Sequence, residues 1–160
     1  MHKQDHSSFD WAFLFTWIIS TSMGWIVGGF LIGGVSLIAS GVVIGALQYF
    51  VLQHRLRQPR NWLIATVLGW AVASLVLILL NPGQSQFLTG VIIGAISGFA
   101  QWLVLRQEIF LSGWWIIVNI VAWTSGLAFL PGFFSTGAVA GVVTGFALEL
   151  LLRFPKVAAQ

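Results

Sequence analysis

Apolar residues run almost unbroken along this chain, and its charged side chains fall into short groups that divide it into long neutral stretches. These stretches hold 44 residues between Asp10 and Arg55, 45 between Arg60 and Arg106, and 40 between Glu108 and Glu149. A helix needs about 20 apolar residues to cross about 30 Å of hydrocarbon, so each stretch has room for two crossings. Gly, Pro, Asn and Ser gather near the middle of each, at Gly28–Gly34, Asn81–Gln86 and Pro131–Thr136, as short connections require. The pattern predicts an all-α, polytopic membrane protein with six transmembrane helices arranged as three repeated helical hairpins. The hairpins are expected at about 11–55, 61–106 and 114–153, forming one membrane domain over 11–153 between polar tails at 1–10 and 154–160.

The hairpins repeat in detail. Trp17-x3-Thr21-x2-Gly24-Trp25-x2-Gly28 aligns without gaps on Trp62-x3-Thr66-x2-Gly69-Trp70-x2-Ala73 and on Trp115-x3-Asn119-x2-Ala122-Trp123-x2-Gly126. The second helix of each hairpin repeats as GVVIGALQYFVLQ from Gly41, GAISGFAQWLVLR from Gly94 and GVVTGFALELLLR from Gly141. At 100° per residue Gly41, Gly45 and Gln48 share a face, as do Gly94, Gly98 and Gln101, and then Gly141, Gly145 and Leu148. These are glycine zippers. Lipid gives no hydrophobic force between helices, and small residues let backbones approach closely enough for dispersion and polar contacts to hold them. The six glycines are therefore helix-packing candidates in a bundle with approximate threefold internal symmetry, although such a face can also receive a neighbouring subunit or a flat ligand.

Composition narrows the class further. The chain has 160 residues, of which 58% are hydrophobic and 7% charged, too few charges to coat a soluble surface. A soluble enzyme, a disordered tail, a secreted disulfide scaffold and a nucleic-acid-binding domain are excluded on this ground. With no cysteine there is no disulfide, thiolate metal site or thiol nucleophile. The net charge of +3 reads as a topology signal, because all charged residues and all three histidines fall on one side of a six-span arrangement. By the positive-inside rule that side is cytoplasmic, with both termini there and Arg55, Arg57 and Arg60 as the strongest determinant. The same three arginines are candidates for anionic lipid. The first helix is expected to be retained, since its apolar run exceeds a signal-peptide core.

Six of the nine tryptophans, Trp11, Trp17, Trp62, Trp102, Trp114 and Trp115, fall near the cytoplasmic helix ends, where an interfacial aromatic belt is expected. Trp25, Trp70 and Trp123 lie about 12 Å deeper, outside any belt. Gln48, Gln101, Asn119 and Glu149 stand at membrane depth, where each polar group must find a partner. They and the deep tryptophans are the ligand or pigment candidates, with interhelical hydrogen bonding as the structural alternative for the amides and pairing with Arg153 at i, i+4 as the alternative for Glu149. His2, His6 and His54 lack ligand spacing, and no metal site is expected.

The segment Gln101-Trp102-Leu103-Val104-Leu105-Arg106, between a glycine-rich helix and a Trp-led one, resembles repeats in small uncharacterised multi-pass membrane proteins of cyanobacterial type. Tyr49 and Gln53 replace Trp102 and Arg106 in the first repeat, and Leu148 and Glu149 replace Gln101 and Trp102 in the third. No activity comes with the resemblance; it implies a bacterial plasma or thylakoid membrane. Of the function classes, catalysis lacks a gathered acid, base or nucleophile. A transporter or channel should line the whole crossing with polar groups, which here stay in the cytoplasmic third. The expected function is a non-enzymatic accessory or assembly subunit of a larger membrane complex, with a photosynthetic complex as its specific form. It would pack against partner helices or itself and hold membrane lipid, chlorophyll or carotenoid; a small-molecule or ion transporter is the alternative.

Overall fold

The computed structural model describes residues 9–30, 34–81 and 85–156, so His2, Lys3 and His6 lie outside the described residues. The described residues form six helices, α1 (Trp11–Gly29), α2 (Gly34–Leu52), α3 (Pro59–Leu80), α4 (Gln86–Leu105), α5 (Trp114–Thr124) and α6 (Ser135–Leu151), with a π-helical turn at Ser125–Phe129 extending α5. Their ends follow from local chemistry. Asp10, the last residue of the expected polar tail, caps α1, where its Oδ1 accepts the Phe13 N–H at 2.9 Å. Ser85 caps α4 in the same way, and Pro59 opens α3, where its missing N–H costs nothing. Asn81 closes α3 in the left-handed conformation, φ 41°, which asparagine tolerates better than most residues.

Three helices, α1, α3 and α4, are long and apolar enough to cross a membrane. Of the others, α5 with its π-helical turn (Trp114–Phe129) and α6 (Ser135–Leu151) are shorter, at 17 residues or fewer, and α2 is apolar over Ser36–Leu52. The sequence expectation of six full-length spans therefore holds by length for three, because counting neutral residues between charges includes turn residues that do not continue a helix.

The helices form a closed ring. Each packs on its neighbours in the chain, α1 closes against α6, and among the described residues no helix backbone packs across the centre. Two aromatic layers fill that centre. Trp17, Trp62 and Trp115 meet one another with ring centroids 5.7–6.4 Å apart, and Leu52, Leu105 and Leu148 pack around them. Farther along, Trp123 lies 4.9 Å from Trp70 and 5.7 Å from Trp25, beside Ile44, Ile93 and Ala140.

The interfacial belt expected for six tryptophans thus loses three members. Trp17, Trp62 and Trp115 are at most 1% exposed, whereas Trp11 and Trp114 stand outward. Helical phase, which distance from a charged loop does not report, decides between the two positions. Leu56 and Ile109 from the connections close the charged end of the core, and Ile109 pairs with Pro155 in an antiparallel bridge. Residues 154–156 are accordingly held against the α4–α5 connection, with Phe110 N–H donating to Phe154 O and Lys156 N–H to Glu108 O.

Candidate functional site

Polar side chains inside the ring form a nearly continuous chain beside the first tryptophan layer. The Trp62 indole N–H donates to Gln48 Oε1 at 3.1 Å, and Gln48 Nε2 donates to Thr21 Oγ1 at 3.1 Å, so one amide ties α1, α2 and α3 together. Thr21 in turn donates to Trp17 O. One repeat later the Trp115 indole donates to Gln101 Oε1 at 2.9 Å and Gln101 Nε2 to Thr66 Oγ1 at 3.0 Å, tying α3, α4 and α5. Both amides use a donor and the acceptor on groups of this chain, as buried amides must.

The third repeat departs from this scheme. Leu148 occupies the glutamine position, and the Trp17 indole donates instead to Thr144 Oγ1, one turn earlier on α6, at 3.0 Å. Asn119 Nδ2 donates to Trp115 O on its own helix at 3.0 Å. Sequence reading singled out Gln48, Gln101 and Asn119 but missed Thr144. Its signal was present, since a tryptophan facing Leu148 needs an acceptor from another residue.

Each glycine pair of an even-numbered helix packs against the next odd-numbered helix. A Cβ at Gly41 would run into the Trp70 side chain, and one at Gly45 would press on Leu63 and Thr66. A Cβ at Gly94 would lie 2.5 Å from Asn119 O and 2.6 Å from Ile120 Cα; at Gly98 it would meet Asn119 Cβ at 2.9 Å. Gly141 and Gly145 close the ring on Ile18, Thr21, Leu14 and Trp17. The odd-numbered helices add Gly24 against Ile44 and Gly69 against Ser97. These small-residue faces are therefore occupied by helix contacts inside the ring.

Glu149 is 4% exposed and sits where the start of α1 meets the end of α6 at the charged rim. Its Oε1 accepts the Asp10 backbone N–H at 3.2 Å and an Arg153 guanidinium N–H at 3.4 Å, while Arg55 Nη1 stands 3.7 Å from Oε2. Arg55 also pairs with Asp10 and lies over the Phe13 ring. The arginine expected at anionic lipid thus has partners in its own chain, 45 and 94 residues away in sequence. Arg57 and Arg60 keep exposed side chains, although the Arg57 backbone N–H donates to both Glu108 carboxylate oxygens. His54 is exposed at the end of α2, and the described residues hold no group of three or more acids or histidines suited to a metal.

The deep tryptophans named as pigment candidates touch one another: Trp70 and Trp123 are buried and Trp25 half-buried. An open apolar groove of about 390 Å³ lies elsewhere, on the outer face between α1 and α2, lined by Ile19, Met23, Leu47 and Phe50 among others. Compared with protein-family models, curated proteins and solved structures, the chain has no match.

Proposed function

We propose that this chain is a six-span membrane protein that serves as a non-catalytic accessory or assembly subunit, offering lipid-facing helix faces to partner helices or a second copy and holding lipid in its outer grooves. The observation that carries the reading is a closed ring whose axis is filled by two layers of indoles. Such a centre offers a polar solute no continuous route, and its amides are already bonded within the chain. All six helices expose large apolar side chains outward, for example Phe15, Val42, Leu68, Phe99, Val121 and Phe146, which supports placing the shorter helices in the bilayer beside the long ones.

Every described charge lies at the same end of the ring, which supports a cytoplasmic position for that end. Chlorophyll or carotenoid, and a thylakoid setting, enter through the resemblance of Gln101–Arg106; any such pigment would sit on the outer face, since the interior seams are closed by side chains.

Reporter fusions after Arg57, Gln86, Arg106 and Ser135 should read inside, outside, inside and outside, and an inside signal at Gln86 would break the six-span arrangement. The function is tested by extraction in mild detergent, followed by absorption spectroscopy and identification of stoichiometric subunits, with solute flux measured in proteoliposomes. A stable stoichiometric assembly without protein-dependent flux is expected. Robust flux from the purified wild-type chain that Glu149→Gln abolishes would replace this reading by the transporter.

A further inference from the structure

We infer that the turn between α5 and α6, residues 130–134, lies within the membrane at the boundary of acyl chains and head groups and is anchored there by its phenylalanines; the inference rests on the six-span reading. The first observation is length. From Trp114, outward-facing at the charged end, to Phe129, and again along α6, the rods run only about 24–26 Å at 1.5 Å per residue. Hydrocarbon is about 30 Å thick, so a rod that starts at one interface ends short of the other. By contrast α3, with 22 residues, reaches about 33 Å.

The second observation is what the two turns present. Residues 129–134 are all exposed and carry no charge, with Phe129 at 71% and Phe134 at 69%. Phe133 stacks edge-on against Phe134 and against Phe30 at the end of α1, so the patch continues the apolar outer face of α1 without a break. The described flanks of the α3–α4 turn are instead the polar Asn81, Ser85 and Gln86.

The third observation is the backbone. Leu130 N–H donates to Ser125 O, Gly132 N–H to Thr136 Oγ1, Thr136 N–H to Gly132 O and Ser135 Oγ to Leu130 O. Pro131 has no N–H, and Thr136 Oγ1 also donates to Gly126 O. This pairing lowers the number of polar backbone groups that the turn would present to lipid, where they need partners within the protein. Short rods, aromatic exposure and internal pairing converge on a lipid surface as the occupant of this patch.

The chain has no cysteine, so single cysteines carrying an environment-sensitive fluorophore can be placed at will. In phosphatidylcholine vesicles, labels at Phe134→Cys and Phe129→Cys should be quenched by brominated lipid several-fold more than by iodide on both sides. A label at Gln86→Cys should show the reverse, and one at Leu68→Cys, on the outward face of α3, should be quenched by lipid alone. Iodide quenching at 134 and 129 equal to that at 86, with Leu68 still quenched by lipid, overturns the submerged turn and leaves six spans standing. Loss of lipid quenching at Leu68 itself would overturn the six-span reading and this inference with it. Two label sites guard against one variant failing to fold.

Discussion

The sectors of the ring bridged by Gln48 and Gln101 and the sector around Leu148 meet the same packing demand with different chemistry. In the first two, one buried amide accepts from the tryptophan of the following helix and donates to the threonine of the preceding one. In the third, a leucine fills that place, Thr144 takes the indole N–H, and the remaining polar contact moves outward to the Glu149, Arg55, Asp10 and Arg153 cluster. A three-helix amide bridge is thus replaced by a two-helix hydroxyl contact plus an ion cluster that gathers α6, the start of α1 and the α2–α3 connection. The three indoles thus share one layer on the axis while their acceptors differ, two amides and one hydroxyl.

The comparison is broken most directly at what the sectors share. Trp62→Ala removes a fully buried indole from the axis and should destabilise by about 3–5 kcal/mol, read as thermal unfolding in mild detergent. A loss comparable to that of the outward Trp114→Ala would show that the axis is not the core.

Seam glycines come next. Gly94→Ala, whose Cβ would press on the backbone of α5, should cost about 1–3 kcal/mol, and Gly45→Ala, opposed mainly by the flexible end of Leu63, markedly less. Equal melting of the two variants would contradict the close approach of α4 and α5.

Sharpening the sector difference requires the amides themselves. Gln101→Leu leaves the Trp115 N–H and Thr66 without their bridge and should cost about 1–2 kcal/mol. Leu148→Gln supplies an amide at the corresponding third position, between Asn119 and Trp17, and should change melting by less than Gln101→Leu in either direction, since Thr144 already serves the indole.

Glu149→Gln should have the smallest effect, about 0.5–1 kcal/mol. Its two arginine partners are about one-third exposed, and the amide oxygen can still accept the Asp10 N–H. A larger loss than Gln101→Leu would reverse the ranking of the sectors and make the rim cluster the stronger closure.

How far these features were readable from sequence depends on the distance over which each contact is made. The Trp, Thr and Gly registers follow from 3.6-residue periodicity within one helix, and so did the placement of Gly94 and Gln101 on one face. The inward turn of Trp17, Trp62 and Trp115 was readable only in part: the i, i+4, i+7 spacing sets Trp17 on the face of Thr21 and Gly24, which points inward, while a place near the charged helix end suits an interfacial belt equally well. The Arg55 pairing was also hidden, since only ring closure brings the α2–α3 connection beside α6. Nor does anything in Ser125-Gly126-Leu127-Ala128-Phe129 announce a π-helical turn, which locates the shortened end of the α5 rod.

The arrangement of the indoles bears on how the molecule comes apart. With backbones touching only neighbours, the ring resembles a short repeat array joined end to end, and such arrays can lose one interface at a time. Yet α1, α3 and α5, which do not adjoin, each contribute one indole to the same triad. Parting any seam far enough to withdraw one of these indoles exposes the faces of the other two, so local opening is penalised at a distance. Unfolding should therefore proceed as one cooperative transition, with the indole triad coupling seams that the backbones leave independent.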